Sequence, residues 1–385
     1  MCGLCLPHCP TYQLSRNEAD GPRGRLSLML GLRDGSLELN ENVTQHLESC
    51  LSCRACEAMC PSLVPYGQLI DAARSHIREC RGTPTPQLDK WRNKVFSRRQ
   101  VLTPLLGLQR LADRLGLGAI TRHLAGDLGR ALPKMLPKAV RPFGTHPSIG
   151  PQRGRIGLFV GCTGSSLDAD TTRAAISLLT AFGFEVIVPK AQTCCGAMHR
   201  HSGDERQADA FVAANQAVFA NEAVDAIVGI ATACVAELRD YGHLNQPVEE
   251  ISAFLARQPA EAWPPLVALD NQRAAIHLPC SQRNVLKQPQ ASFELLGHIP
   301  GLELIDLPGN AFCCGAAGLQ RLSHPKQAAA LREPKLRAIS ELRPDYIVSS
   351  NIGCALHLNV GLDAFKPRPP QVIHPITLLA RCLRR

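Results

Sequence analysis

Aromatic residues are scarce in this chain of 385 residues: Phe, Trp and Tyr together make up 4%. That scarcity removes the stacking platforms on which single-stranded nucleic acids bind, and no nucleic-acid reader motif is present. The net charge of +9 does not reverse this. Its basic residues gather between Arg92 and Arg141 and read as a solvated helical face, so no nucleic-acid partner is expected. No run approaches the roughly 18 uninterrupted apolar residues of a membrane-spanning helix. A secretory leader is not legible, because cysteine chemistry begins at Cys2, where a leader would carry its basic start. A cytoplasmic location is the expectation. Other signatures are missing too. There is no dinucleotide fingerprint with a downstream acidic residue and no Ser/His/Asp hydrolase motif. Gly161-Cys-Thr-Gly164-Ser-Ser resembles a phosphate cradle but lacks the lysine of a P-loop.

Cysteine, by contrast, is abundant. Hydrophobic content of 45% and charged content of 19% describe a globular chain long enough for two or three domains. Seventeen cysteines in such a chain need a reason. A disulfide scaffold is the secreted answer and metal ligation the cytosolic one. Placement favours metal. Cys2, Cys5 and Cys9 form one tight group, and Cys50, Cys53, Cys56 and Cys60 another. Eight more fall into two matching sets of four. Cys80 and Cys382 are left over and read as structural or surface thiols.

Two-cluster ferredoxins carry the run Cys-x2-Cys-x2-Cys-x3-Cys-Pro, whose last cysteine ligates the other cluster. Cys50-Leu-Ser-Cys53-Arg-Ala-Cys56-Glu-Ala-Met-Cys60-Pro61 matches it completely. Zinc sites close with paired spacings instead, so this density followed by proline points to a [4Fe-4S] site. Cys2-Gly-Leu-Cys5-Leu-Pro-His-Cys9-Pro10 matches from its second cysteine onward. The exchange rule then assigns Cys50, Cys53, Cys56 and Cys9 to one cluster. Cys2, Cys5 and Cys60 remain for the other, one thiolate short. A start clipped within Cys-x-Met-Cys, a non-cysteine ligand, or a three-iron cluster would each account for this, and the clipped start is the expectation.

Residues 1–85 form the first unit, two-cluster and ferredoxin-like. It is helical, with helices expected over 21–32 and 42–47. Residues 86–150 read as a helical connector and linker. Val101, Leu105, Leu106, Leu108, Leu111 and Leu115 recur at helical spacing, on a face expected to pack on neighbouring domains. Prolines at 133, 137, 142 and 147 then break the pattern.

Residues 151–265 and 266–385 are an internal repeat. Cys162, Cys194-Cys195-Gly196 and Cys234 recur as Cys280, Cys313-Cys314-Gly315 and Cys354, at offsets of 118, 119, 119 and 120 residues. Asp225-Ala-Ile-Val and Asp345-Tyr-Ile-Val each precede the last cysteine of their half by nine residues. Strands are expected over 156–160, 185–188, 226–230, 275–278, 302–306 and 346–349, and helices over 171–182 and 205–223. This alternation implies an α/β fold with parallel sheets, the cysteines lying at the carboxyl ends of the strands, where open α/β sheets place ligands. Pseudo-twofold packing would bring Cys194, Cys195, Cys313 and Cys314 to one edge, each set converging on its own site. Each set can ligate a further iron–sulfur cluster or be a group of buried small thiols. Gly196 and Gly315 would allow the backbone close approach. His199 and His201 are candidates for proton handling, while His277, His357 and His374 read as hydrogen-bonded sheet or loop residues.

With these motifs in place, the chain resembles the iron–sulfur subunits of glycolate oxidases over nearly its whole length. The resemblance rests on Cys9-Pro-Thr-Tyr-Gln13, Asp20-Gly-Pro-Arg-Gly-Arg25, the complete cluster run, the two Cys-Cys-Gly signatures and Asn351-Ile-Gly-Cys354. The Cys-Cys-Gly repeat alone is shared with heterodisulfide reductase subunits, the anaerobic glycerol-3-phosphate dehydrogenase iron–sulfur subunit and lactate-utilisation proteins. The resemblance implies an oxidoreductase complex in which flavoprotein subunits oxidise glycolate. This subunit, without flavin of its own, would carry electrons towards the respiratory chain, with a quinone acceptor and peripheral attachment to the inner face of the cell membrane. The alternatives are a heterodisulfide-reductase-like enzyme, the iron–sulfur subunit of a lactate or glycerol-3-phosphate dehydrogenase, and a redox sensor or scaffold. Ala231-Thr-Ala-Cys234-Val departs from the usual Ser-Gly-Cys-Gly of the family.

Extending the chain upstream is expected to reveal a cysteine two residues before Met1. Iron per chain should then rise and any three-iron signal vanish. Native protein that begins at Met1 and holds two complete four-iron clusters would refute this.

Overall fold

A computed structural model describes residues 2–80, 94–126, 129, 132–133, 136–241, 243–318, 320–362, 365 and 369–384. The expected connector residues 86–93 lie outside the described residues. The N-terminal part is a set of short helices with legible stops. Pro22 opens the helix Pro22–Asp34, and left-handed Gly35 ends it. Asn40 caps Glu41–Glu48 by accepting from the Val43 amide. The helix Tyr66–Cys80 lays Tyr66, Ile70 and Ile77 against Val43 and Leu47 in a small core.

The helices Arg99–Arg114 and Gly118–Leu124 follow. Leu102 and Leu106 pack with Leu167 of the first repeat and Leu356 of the second. The expectation for this face holds only in part. Leu108, Leu111 and Leu115 are 66%, 52% and 65% exposed, because only the first turns reach the neighbouring domains.

The strands are β1 Gly144–His146, β2 Gly154–Phe159, β3 Phe184–Val188, β4 Ala226–Gly229, β5 Val248–Glu250, β6 Arg273–Ile276, β7 Glu303–Asp306, β8 Tyr346–Val348 and β9 Gln371–Ile373. They make two sheets, ordered β1-β3-β2-β4-β5 and β7-β6-β8-β9. All pairings are parallel except that of β1 with β3. Without β1 the two orders coincide, so the repeat in sequence is a repeat in topology. Residues 144–146, read as linker, pair antiparallel along the free edge of β3, closing an edge that would otherwise stay open.

The repeat extends to hydrogen-bonding detail. The carboxylates of Asp225 and Asp345 accept from the amides of Arg155 and Arg273, both at 2.8 Å. The side chains of Gln192 and Asn310 accept from Val160 and Leu278 amides and donate to Leu158 and Ile276 carbonyls. In each half the chain leaves its central strand, β2 or β6, towards one side and later crosses to the other. A crevice therefore opens between the carboxyl ends of β2 and β4, and of β6 and β8. The halves also share one core. Leu178, Leu179, Phe254 and Leu255 of the first meet Leu295, Leu296, Ile376 and Leu379 of the second. Among the described residues no helix is long and apolar enough to cross a membrane.

Gly315 has φ +88°, and a Cβ there would lie 2.8 Å from the Ala328 carbonyl oxygen. Gly35 is also left-handed, but a Cβ there meets nothing within 4 Å. Denaturant unfolding should show Gly35→Ala costing about 1 kcal/mol and Gly315→Ala about 3. Equal losses would contradict this account of the turn.

Candidate metal centres

The complete cysteine run folds as a tight loop. Ser52 and Arg54, both non-glycine, take left-handed conformations at φ 48° and 55°, which turns the loop around a common centre. Such conformations persist only where neighbours hold them. Arg54 is clamped between Glu57 and Asp240. Cys9, Cys50, Cys53 and Cys56 line one cavity together with Thr11, Arg25 and Tyr66. Sulfur is the donor type gathered here, as iron–sulfur clusters need. The set is the one that the exchange rule assigns.

Two buried guanidinium groups frame this cavity. Arg25 is 1% exposed; it donates to the Thr11 hydroxyl at 3.0 Å, the His46 carbonyl at 2.7 Å and the Ser49 hydroxyl at 2.9 Å. Gly24 makes its position attainable, because a Cβ there would lie 2.1 Å from the Glu18 carbonyl oxygen. Arg74 donates to the Cys50, Glu48 and Leu47 carbonyls, to the Ser52 hydroxyl and, across the domain boundary, to the His201 carbonyl at 3.0 Å. Burial alone would raise the Cys50 thiol, but Arg25 and Arg74 outweigh it and bring the thiol down. Burial and the neighbouring Cys50 and Cys9 push Cys56 up. Cys5 is raised by burial and by its neighbours Cys9, Cys2 and Cys60, so Cys2, Cys5 and Cys60 form a second, more exposed group beside Cys9.

Each Cys-Cys-Gly set also converges. In the first half the thiols run as a chain of contacts from Cys162 to Cys194, Cys195 and Cys234. In the second, Cys280, Cys313, Cys314 and Cys354 are linked in the same order. Cys162 and Cys280 lie just beyond the central strands. Cys234 and Cys354 ride on the first turns of the helices Thr232–Tyr241 and Ile352–Gly361. All four therefore border the two crevices. Cys194 and Cys195 are both raised, chiefly by their thiol partners. Hydrogen bonds from Cys313 and Cys354 hold Cys314 well below the ordinary thiol range, with His277 adding to the effect. Ligand atoms of His277, Cys314 and Cys354 all lie within 4.8 Å of one another.

The crevices face each other. The Thr232 hydroxyl accepts from Ser281 at 2.8 Å and from Asn351 at 3.2 Å. The N-terminal loop sits on this edge. Asn284 donates to the Cys53 carbonyl at 2.8 Å, and Cys53 packs with Cys313 and Cys280.

Several sequence expectations change here. His199 and His201, read for proton handling, each set Nδ1 against a carboxylate, Asp204 at 3.3 Å and Asp71 at 3.0 Å. The second of these fastens the N-terminal domain to the first repeat. His374 caps the last helix and His357 reaches the Ala328 carbonyl, as expected. His277 uses Nδ1 on Ser349, but its buried Nε2 has no hydrogen-bond partner and lies beside Cys314. Cys382 is a core thiol and Cys80 is exposed at a helix end. Arg74, Asn284 and Lys335 were not legible, since a cation or amide in a helical stretch reads as surface. Arg25 lay within a quoted motif, and only its burial gives it a role.

Comparison with known proteins accords with this geometry. Residues 1–64 match the 4Fe-4S dicluster domain, and 156–239 and 274–359 match the cysteine-rich domain. A dicluster domain joined to a duplicated cysteine-rich domain, with its thiols gathered at one edge, defines an iron–sulfur electron-transfer protein. The probable glycolate oxidase iron–sulfur subunit of Bacillus subtilis is 32% identical over 94% of this chain and 88% of its own length. The glycolate oxidase iron–sulfur subunit of Escherichia coli is 32% identical over 93% and 88%. The chain belongs to the glycolate oxidase iron–sulfur subunit family. A crystal structure of a hypothetical protein from Helicobacter pylori shares the fold, with a TM-score of 0.56 at 11% identity over 95% of this chain and 68% of that one.

Replacing Arg74 by Met should leave the carbonyls of Leu47, Glu48 and Cys50 short of a donor. A loss of about 3 kcal/mol is expected. Iron retained on dilution should fall with it, and Arg74→Lys should recover only part of both. Unchanged unfolding midpoints and iron content would refute the role.

Proposed function

We propose that this chain is the electron-carrying subunit of a flavin-dependent glycolate, or 2-hydroxy-acid, dehydrogenase complex. One observation carries the reading: the thiol groups form a series, from exposed Cys2 and half-buried Cys5 and Cys60 through the N-terminal cavity to the second Cys-Cys-Gly site, against which Cys53 packs. The N-terminal ligands are assigned as Cys9, Cys50, Cys53 and Cys56 for one cluster and Cys2, Cys5 and Cys60 for the other. Cys162, Cys194, Cys195 and Cys234, and Cys280, Cys313, Cys314 and Cys354, are assigned to the two further sites. Clusters bound there supply one-electron chemistry. The hydride step belongs to a flavin on partner subunits.

The chain's own residues hold thiolates together and exclude water. Arg25 and Arg74 offset the negative charge that accumulates when four thiolates share a buried cavity. Asn284 holds the cluster loop to the second repeat, and Arg54 and Arg74 hold it to the first. Such ties between the cluster loop and both repeats are what transfer between fixed centres requires. Residues 1–85 are assigned as the two-cluster domain, 86–150 as connector, and 151–265 and 266–385 as the repeated domains. Delivery to a quinone at the membrane surface, with peripheral attachment, completes the reading.

The test is anaerobic purification with any co-purifying flavoprotein, iron and sulfide counting, and electron paramagnetic resonance before and after glycolate addition. Cys53→Ser with Cys56→Ser should abolish the signal of one N-terminal cluster and glycolate-dependent reduction of the others. Zinc without iron in that domain, or full reduction by glycolate in the double variant, would overturn the proposal.

A further inference from the structure

The two repeats are copies in backbone and in thiols, but not in charge. The mapping between them is set by shared contacts. A Cβ on Gly196 would meet Ala208, and one on Gly315 would meet Ala328, so the helix Glu205–Ala220 maps onto Pro325–Leu342. That mapping places Asn215 opposite Lys335. The final cysteines place Glu237 opposite His357, and the Gln192 and Asn310 contacts with Leu158 and Ile276 place Phe159 opposite His277. At these buried positions the first half has Asn215, Glu237 and Phe159; the second has Lys335 and two histidines whose pKa burial pulls down, His357 to about 4, so the difference in positive charge rests on Lys335.

Lys335 carries the argument. It is 2% exposed, and its ammonium donates to the Gly309 carbonyl at 2.9 Å. Among the described residues no carboxylate pairs with it. The acidic groups that act on it are the thiols of Cys314, Cys313, Cys354 and Cys280; burial draws its pKa down and these offset that only in part. A buried ammonium without a partner anion is costly enough that such groups are found paired or neutralised. Its counter-ion is thus the second-half site itself. The first half has no such demand. Asn215 spends its amide on the Thr193 amide and the Cys194 carbonyl. The buried Glu237 there is paired with Arg200 at 2.7 Å, and buried Asp168 adds a further carboxyl beside Cys234.

We infer that Lys335 is the resident countercharge of the second Cys-Cys-Gly site, holding the group bound there at a higher reduction potential than its first-half counterpart. The inference rests on the ligand assignment proposed above. Its physical basis is electrostatic: reduction adds one negative charge, which a fixed buried cation stabilises and a nearby carboxylate opposes. The site so favoured is also the one packed against Cys53 of the N-terminal cavity. Lys335 is a positioning residue for charge rather than a ligand.

The test uses the full chain, purified anaerobically, in redox titrations followed by electron paramagnetic resonance. Cys313→Ser with Cys314→Ser first identifies which signal belongs to the second half. Lys335→Gln keeps a donor for Gly309 and removes the charge; Lys335→Met removes both. Each should lower the midpoint of that signal by at least a tenfold change in its reduction equilibrium, 59 mV for one electron. Iron per chain and the other midpoints should stay in place. Lys335→Arg should stay near the parent value. Full iron with an unmoved midpoint in both neutral variants would overturn the role of Lys335 while leaving the ligand assignment standing. Loss of no iron and no signal in the cysteine variant would instead remove the assignment, and the inference with it.

Discussion

The guanidinium of Arg74 is the tie on which the arrangement of sites depends. Its five acceptors span the end of one helix, the cluster loop and the first repeat. A loop that must curve around a cluster leaves carbonyl groups pointing away from any ladder. Buried carbonyls without donors are expensive, and one planar fork of donors answers several at once. The same group supplies positive charge beside Cys50. Geometry and charge are therefore met by one side chain, and the loop is rigid because it is neutralised.

The buried thiol sites differ in the charge set beside them. The N-terminal cavity has two arginines held in hydrogen-bond networks. The second Cys-Cys-Gly site has an ammonium that, among the described residues, no carboxylate pairs. The first has a carboxylate already paired with an arginine. Duplication copied the backbone, the strand-end aspartates and the cysteines. The helices that cover the thiols then diverged in the sign of what they present. A pair of equal sites would hold electrons equally; a pair in unequal fields ranks them.

Much of this was legible before any fold was known. The dense cysteine run, its proline and the nearly constant offset between halves are local facts, and each reflects a requirement that a short segment must satisfy. Strand and helix positions followed from alternation, within a few residues. Less visible was the edge strand at 144–146, too short for a pattern and paired only because β3 had a free side. The exposed Leu108, Leu111 and Leu115 had helical spacing like any buried stripe, and spacing does not say how far a neighbour extends. His201 lay close to Cys195 in sequence, yet its partner Asp71 is set by how the domains meet.

By itself, then, the amino-acid sequence determined the chemistry: sulfur ligands in ferredoxin spacing, a duplicated α/β unit and the family to which both belong. Ligand type and short-range spacing are covalent properties, so they survive without a fold. Tertiary structure alone decided which thiols share a cavity, that the N-terminal loop rests on the second repeat through Cys53 and Asn284, and that Lys335 is buried near the second-half thiols with no carboxylate paired to it among the described residues. Those are relations between residues tens to hundreds of positions apart. Burial turns them into energies, because a charge that costs little in water becomes, once enclosed, a constraint on everything beside it.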